Sequence, residues 1–362
     1  MFRAAVFFLA AAISYLVTYW LVKVPVRGKA MDIPNERSSH RQPTPRLGGI
    51  GIVTSFMATL PLLWIMVSAS AASETAALRF GAALLGYVVV AAIGFIDDVH
   101  RIGPLTKYVG QLGATILAIS CGVLFSGLTL PFGITLSFGA LSIVMTVAWM
   151  TGFSNIFYFM DGSDGLAGGV GVIYSLALAA VCFGTDHRLL GAGSLIVGAA
   201  CLGFLAHNFP PAKIFMGDMG SLFIGYALGA FAVVTTNSGE RPAPFIAVLL
   251  IFGTFLYDGT FTLLRRLLHG ERVFEAHRSH LYQRLVIAGQ SHRRVTLTYY
   301  ALSALLGAGG LVYTFSGDWT RLVILIASGA VLLAFTFYVY YFESAGRAAR
   351  VYATKWRIED RG

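Results

Sequence analysis

The sequence predicts an all-α, polytopic integral membrane helix bundle of about eleven transmembrane helices, folded as one domain over residues 1–362. Three observations predict it. The chain is 57% hydrophobic and 12% charged, with mean hydropathy +0.74, whereas a soluble domain carries about 25% charged residues. Apolar stretches of spanning length, about 20 residues each, recur along it. Lys and Arg concentrate in alternate connections between those stretches. Together these exclude a soluble two-domain enzyme, a disordered chain and a disulfide-stapled secreted domain. Cys121, Cys182 and Cys201 all lie in apolar runs with no CxxC spacing, and read as small buried hydrophobes. The net charge of +9 then belongs to cytoplasmic loops rather than to a nucleic-acid surface.

The first stretch, 2–22, is too long for a signal-peptide core and no A-x-A site follows it; Lys23, Arg27 and Lys29 do follow, which places the N-terminus outside. The second, 46–68, opens on Gly48-Gly49, and the third, 76–96, closes on Asp97-Asp98. Spans at 107–126 and 134–152 come next. The sixth, 165–184, follows an Asp-Gly-x-Asp-Gly turn, and the seventh, 189–207, closes on His207-Asn208. The eighth, 219–236, opens beside Asp218, and the ninth, 243–264, contains Asp258. The last two cover 295–315 and 320–342. The inner segments are then 23–46, 96–107, 153–164, 207–218, 265–294 and 343–362; they hold 21 of the 26 basic residues, against 5 outside. That asymmetry predicts a cytoplasmic C-terminus and cytoplasmic catalytic loops.

All the polar clusters fall on that side. They are Asp32 to His40 with the following Pro43 to Gly49; Asp97 to Arg101; Asn155 with Asp161 to Gly165; His207 to Ser221; and His277 to Arg284. Carboxylates beside a span are costly to keep and mark functional positions by default. Asp97 and Asp98 repel one another unless a cation or proton intervenes. Asp161 and Asp164, spaced i,i+3, share a face on a helical turn. Hard oxygen donors without paired Cys suit Mg²⁺ or Mn²⁺, which is held by one or two carboxylates plus substrate phosphates. The plain alternative is that these aspartates cap helices or pair with Arg101, Lys107 and Lys213.

The glycines Gly48, Gly49, Gly162, Gly165, Gly217 and Gly220 allow close backbone approach, and the amides that open the eighth span at Gly217 to Ser221 could face phosphate. His277, Arg278, His280 and Arg284 could grip a diphosphate, or the loop 265–294 could serve topology and anionic lipid alone. Asp258 reads as an interhelical hydrogen-bond partner, so that Asp258→Asn is expected to cost far less activity than Asp218→Asn.

These motifs resemble the polyprenyl-phosphate N-acetylhexosamine-1-phosphate transferases of glycosyltransferase family 4. The run PPAKIFMGDMGS at 210–221 is the most diagnostic; the Asp97-Asp98 pair and the DGSDGLAGG run at 161–169 support it. HRSHLYQRL at 277–285 resembles the branch that initiates O-antigen and related lipopolysaccharide glycans. The resemblance implies transfer of a sugar 1-phosphate from a UDP-N-acetylhexosamine to polyprenyl (undecaprenyl) phosphate, with release of UMP, in the bacterial inner membrane. By match, Asp97, Asp98 and Asp218 form the catalytic centre, with Asp218 and Asp98 on the metal. Asn155, Asp161 and Asp164 serve the nucleotide. His277, Arg278 and His280 hold the diphosphate or sugar. Arg46, Lys107 and Lys213 are further substrate-binding candidates, because phosphoryl transfer calls for Arg and Lys clamps. The expected partners are the two substrates and the lipid bilayer, with no nucleic acid; a homodimer is one option.

Two positions depart from the family pattern: Tyr158 stands where a second asparagine is usual, and Ser163 where an aliphatic residue is. The sugar stays open among N-acetylglucosamine, N-acetylgalactosamine, N-acetylfucosamine and N-acetylquinovosamine. A transporter or flippase of an anionic or lipid-linked substrate is the alternative from another class. It would place charges near mid-membrane and gates on both sides.

Overall fold

A computed structural model describes residues 2–24, 30–32, 43–68, 74–237, 241–272 and 278–359. Helix α1 is Phe2–Lys23, and a minimal ribbon of β1 (Met31–Asp32) and β2 (Thr44–Pro45) leads to α2, Gly49–Ser68. Then come α3 (Glu74–His100) and α4 (Pro104–Ser120), followed by the hairpin of β3 (Gly127–Thr129) and β4 (Thr135–Ser137). Helices α5 (Ser142–Phe159), α6 (Leu166–Gly184), α7 (Arg188–Asn208) and α8 (Gly217–Asn237) follow. The chain closes with α9 (Phe245–Ile251), α10 (Gly253–Leu268), α11 (Leu281–Ile287), α12 (His292–Phe315) and α13 (Asp318–Glu359). Among the described residues nine helices are long and apolar enough to cross a membrane, and the bent α9–α10 pair makes a tenth.

A helix answers each of the eleven predicted stretches, with three differences of detail. The fourth stretch ends early: Gly122, at φ +94°, stops α4 at 17 residues by accepting a left-handed conformation that a side chain would strain. The fifth begins at Ser142 rather than 134, because Ile134, Leu136 and Phe138 alternate with polar residues and form one arm of a β-hairpin. Its far end reaches Phe159, so most of the predicted loop 153–164 is helix. The ninth stretch is broken by 81° at Phe252. A break inside a bilayer frees backbone groups that lipid cannot satisfy. Here the Tyr174 hydroxyl on α6 repairs it, donating to the Phe252 carbonyl (3.1 Å) and accepting from the Phe255 amide (3.0 Å).

The core centres on α8, where 83% of the most apolar stretch is buried, against 17% for α13. Lipid gives apolar helices little reason to prefer one another, so small residues and hydrogen bonds join them. Ser14 donates to Ala200 O, Ser55 to Ala10 O, Ser154 to Leu222 O and Tyr226 to Ala114 O. At the start of α8 the approach is close: a Cβ on Gly49 would lie 2.3 Å from the Gly220 nitrogen. The far end of α8 holds the hairpin, since Asn237 Oδ1 accepts from the Ser126 amide and hydroxyl. Among the described residues, the Asp97–Asp98 and Gly217–Ser221 clusters therefore lie at one end of α8 and the hairpin at the other; 33–42 and His277, from two of the predicted clusters, lie outside the described residues.

Candidate active site

Gly217 and Asp218 open α8, and three other segments are pinned to that point. The segment before α2 runs beside residues 215–216, with Phe215 N donating to Pro45 O and Gly48 and Gly49 donating to Phe215 O and Met216 O. This delivers Arg46. From α3, Asp98 accepts the amides of Asp218 (2.9 Å) and Met219 (3.0 Å) on its two oxygens. Gly217 has φ +74°, and a Cβ there would sit 2.6 Å from Asp98 Oδ2, so the turn admits only glycine. Two of the amides that the sequence offered to phosphate, those of Asp218 and Met219, are thus taken by Asp98, which corrects the expectation for them: a carboxylate already complements the positive end of the helix.

Asp218 is buried, and its oxygens face two cations. Arg46 Nη2 lies 3.2 Å from Oδ1 and Lys107 Nζ lies 3.0 Å from Oδ2. Lys107, from the first turn of α4, also reaches Asp97 Oδ2 at 3.1 Å, and Arg46 stands 3.8 Å from Asp98. Tyr158 completes this cage: Lys107 Nζ lies 4.7 Å from its ring centre and 3.5 Å from its hydroxyl. One turn back along α5, Asn155 exchanges hydrogen bonds with Gln111, the shorter being 2.8 Å. Asp161 senses Asp218, Arg46 and Asp98; burial first, and then the Asp218 charge, push its carboxyl well above the usual carboxylate range.

Asp164 acts differently. Its Oδ2 accepts the Ala212 amide (3.0 Å), while Gly165 N donates to Asn208 Oδ1 (2.9 Å), so the 161–165 turn is laced to the 208–212 loop. Ser163 bonds His292 Nδ1 at 2.8 Å, and Thr296 and Tyr300 of α12 donate to Asp164 O and Gly165 O. His280 is buried at the start of α11, with Nδ1 3.1 Å from Asp258. Arg278 is half-buried, and the Lys213 side chain is exposed. His277 lies outside the described residues.

The structure therefore brings Arg46, Asp97, Asp98, Lys107, Asp161 and Asp218 together and sets Lys213 apart. Sequence reasoning missed Gln111, which stands four residues after Lys107 on the same face of an apolar helix; a lone amide there was a usable signal. Among the described residues no three His, Cys, Asp or Glu side chains are arranged as a complete metal-binding group. The donors suit an ion that takes one or two carboxylates and completes its shell with phosphate and water, as Mg²⁺ does.

Comparison with known proteins gives a consistent picture. A family model described as glycosyl transferase family 4 matches residues 80–236. A probable undecaprenyl-phosphate N-acetylglucosaminyl 1-phosphate transferase of Bacillus subtilis is 30% identical over 328 residues, covering 90% of this chain and 89% of the relative. A decaprenyl-phosphate N-acetylglucosaminephosphotransferase of Mycolicibacterium smegmatis is 33% identical over 325 residues, covering 83% and 79%. A phospho-N-acetylmuramoyl-pentapeptide-transferase of Desulforudis audaxviator is 31% identical over 337 residues, covering 83% and 96%.

Proposed function

The chain belongs to glycosyl transferase family 4, and on that premise we propose that it transfers an N-acetylhexosamine 1-phosphate from a UDP-sugar to polyprenyl phosphate. It is a multi-pass membrane phosphotransferase of that family. In the reaction an oxygen of the lipid phosphate forms a bond to the β-phosphorus of the UDP-sugar. The bond from that phosphorus to the bridging oxygen breaks, and UMP leaves with the electron pair. The observation that carries the reading is the convergence of Asp97, Asp218, Lys107 and Arg46 from four segments on one point at the end of the bundle.

Phosphoryl transfer needs positioning and charge neutralisation more than covalent chemistry. Arg46 and Lys107 supply the positive charge. Both now rest on carboxylates, and both are within side-chain reach of any phosphate that enters between Asp97 and Asp218. Asp98 anchors the helix that carries Asp218, and Asn155 with Gln111 lines the approach from α5. Asp97 and Asp218 offer two hard donors to Mg²⁺, or Mn²⁺ in its place; the expected contact from Asp98 requires it to share an oxygen with an α8 amide. Such an ion, when bound, offsets diphosphate charge and draws electrons from the departing oxygen. The nucleotide fits the Asp161 and Asp164 turn. The site faces the cytoplasm of a bacterial inner membrane, and N-acetylglucosamine, named in two of the relatives, is the first sugar to test.

Purified protein given UDP-N-acetylglucosamine and undecaprenyl phosphate is expected to release UMP, with a lipid product carrying both phosphates and the sugar by mass. Release of UDP would mean ordinary glycosyl transfer and would sink the reading. A single cysteine at Ser279 is expected to stay shielded from an impermeant thiol reagent in intact cells, while one at Thr135 on the hairpin reacts. The reverse pattern would move the site to the other face.

A further inference from the structure

We propose that Asp258 is the positioning residue for His280, and through α11 for the side of the site formed by Arg278 and the Asp161 turn. The inference rests on the reading of His280 as a substrate-side residue. Asp258 is fully buried in α10. A lone carboxylate there would be prohibitively costly unless every lone pair were engaged. Five donors meet it. Thr262 Oγ1 (3.1 Å), His280 Nδ1 (3.1 Å) and Leu281 N (2.9 Å) reach Oδ1. Tyr282 N (3.2 Å) and the Tyr299 hydroxyl (2.5 Å) reach Oδ2.

Those donors come from α10 itself, from the start of α11 and from α12. Asp258 does join helices, as its sequence position suggested, yet three of its five partners are consecutive residues of the loop that bears the candidate diphosphate grip. Helix joining alone does not need a charge, because an apolar contact of equal volume serves as well or better. A carboxylate does what a neutral group does not: it fixes the proton of the imidazole on Nδ1 and sets the plane of the ring. With the proton on Nδ1, Nε2 is the acceptor nitrogen of the ring. The same anchor sets Tyr282, whose hydroxyl donates to Phe159 O at 3.1 Å. A Cβ on Gly162 would lie 2.0 Å from that hydroxyl, so α11 is seated directly on the Asp161-Gly162 turn. On its other side α11 is clamped to α13 by the Arg284–Glu343 ion pair and by Arg284 stacked 4.3 Å over Tyr340. The loop is thereby held from both sides, and Asp258 is the group that meets Nδ1 of the imidazole.

The test is a double-mutant cycle on the full-length protein in detergent, reading UMP release. Asp258→Asn is expected to lower kcat by about 10- to 100-fold, the usual scale for losing the group that orients a functional imidazole; this revises the far smaller loss that a plain helix-joining role implied, because five donors meet the carboxylate. In a His280→Gln background the same substitution is expected to change kcat by less than about 2-fold, because the residue it acts through is gone. An equal loss in both backgrounds would mean a merely structural role and overturn the proposal. A second readout does not need turnover: modification of His280 by diethyl pyrocarbonate, followed by peptide mass analysis. Protection in the wild type that is lost in Asp258→Asn supports the proposal, and unchanged protection overturns it. A wild type that releases no UMP yet shows this protection pattern would defeat the functional reading while leaving the positioning of His280 intact. Should Asp258→Asn fail to fold, Tyr299→Phe, which removes one donor from Oδ2, carries both readouts with a smaller loss.

Discussion

Asp218→Asn is expected to lower the turnover number for UMP release by at least about 10²-fold, the scale of losing one principal electrostatic stabiliser. The substitution keeps the shape of the side chain, and its remaining oxygen can still accept from Arg46 or Lys107. What it removes is the charge on which those two cations converge at 3.2 and 3.0 Å. Expression and helical content should survive, since a neutral amide is cheaper to bury than a carboxylate. EDTA should abolish wild-type turnover, and Mg²⁺ or Mn²⁺ should restore it. Near wild-type turnover by well-folded Asp218→Asn at saturating Mg²⁺ would show that the ion is held elsewhere. Asp98→Asn separates the two neighbouring roles. Its amide nitrogen would face an α8 N–H that now donates to a carboxylate, so it is expected to destabilise the start of α8 by about 1–3 kcal/mol as well as to lose activity. A lowered melting midpoint in Asp98→Asn but not in Asp218→Asn would distinguish the residue that holds the helix from the residue that the helix presents.

The bundle was legible because its signals are one-dimensional: runs of apolar residues mark helices, and loop charges order them. Where a run was apolar but had the period of a strand, as at Ile134, Leu136 and Phe138, composition misled and the structure made a hairpin. The acidic members of the site were legible for the same reason, since an aspartate against an apolar helix is conspicuous. Their division of labour was not. Asp97 and Asp98 are adjacent in sequence, yet one takes an ammonium and the other two amides, because successive side chains on a helix point about 100° apart. Which of them meets the start of α8 depends on how α3 crosses α8, and no local pattern encodes that. Tyr158 was visible only as a departure from a motif; the structure supplies its occupation, a ring laid against Lys107. The transporter alternative expected charges at mid-membrane, whereas the Arg46–Asp97–Asp98–Lys107–Asp218 network sits at one end of α8.

Lys107→Met is the other change with a large expected effect, and here the effect falls on stability and on rate together. Methionine keeps the length and the apolar stem but leaves Asp97 and Asp218 facing a common point with no ammonium between them. Both carboxylates are largely shielded, with side chains 12% and 2% exposed, so water compensates little. Breaking a shielded pair by removing one partner costs about 3 kcal/mol or more, and a fall in the thermal midpoint of the purified protein is the expected result. Adding Asp97→Asn to Lys107→Met should recover much of the midpoint, because neutralising one carboxylate abolishes the repulsion between that pair, while UMP release stays at least about 10²-fold down for want of the phosphate clamp. The same variant reports where the cation goes. In the wild type the ammonium already neutralises the space between Asp97 and Asp218, so Mg²⁺ without substrate is expected to shift the midpoint little. In Lys107→Met that space is uncompensated, and Mg²⁺ should raise the midpoint more than it does in the wild type. An Mg²⁺ response that is the same in both proteins would place the ion away from the carboxylates that Lys107 bridges.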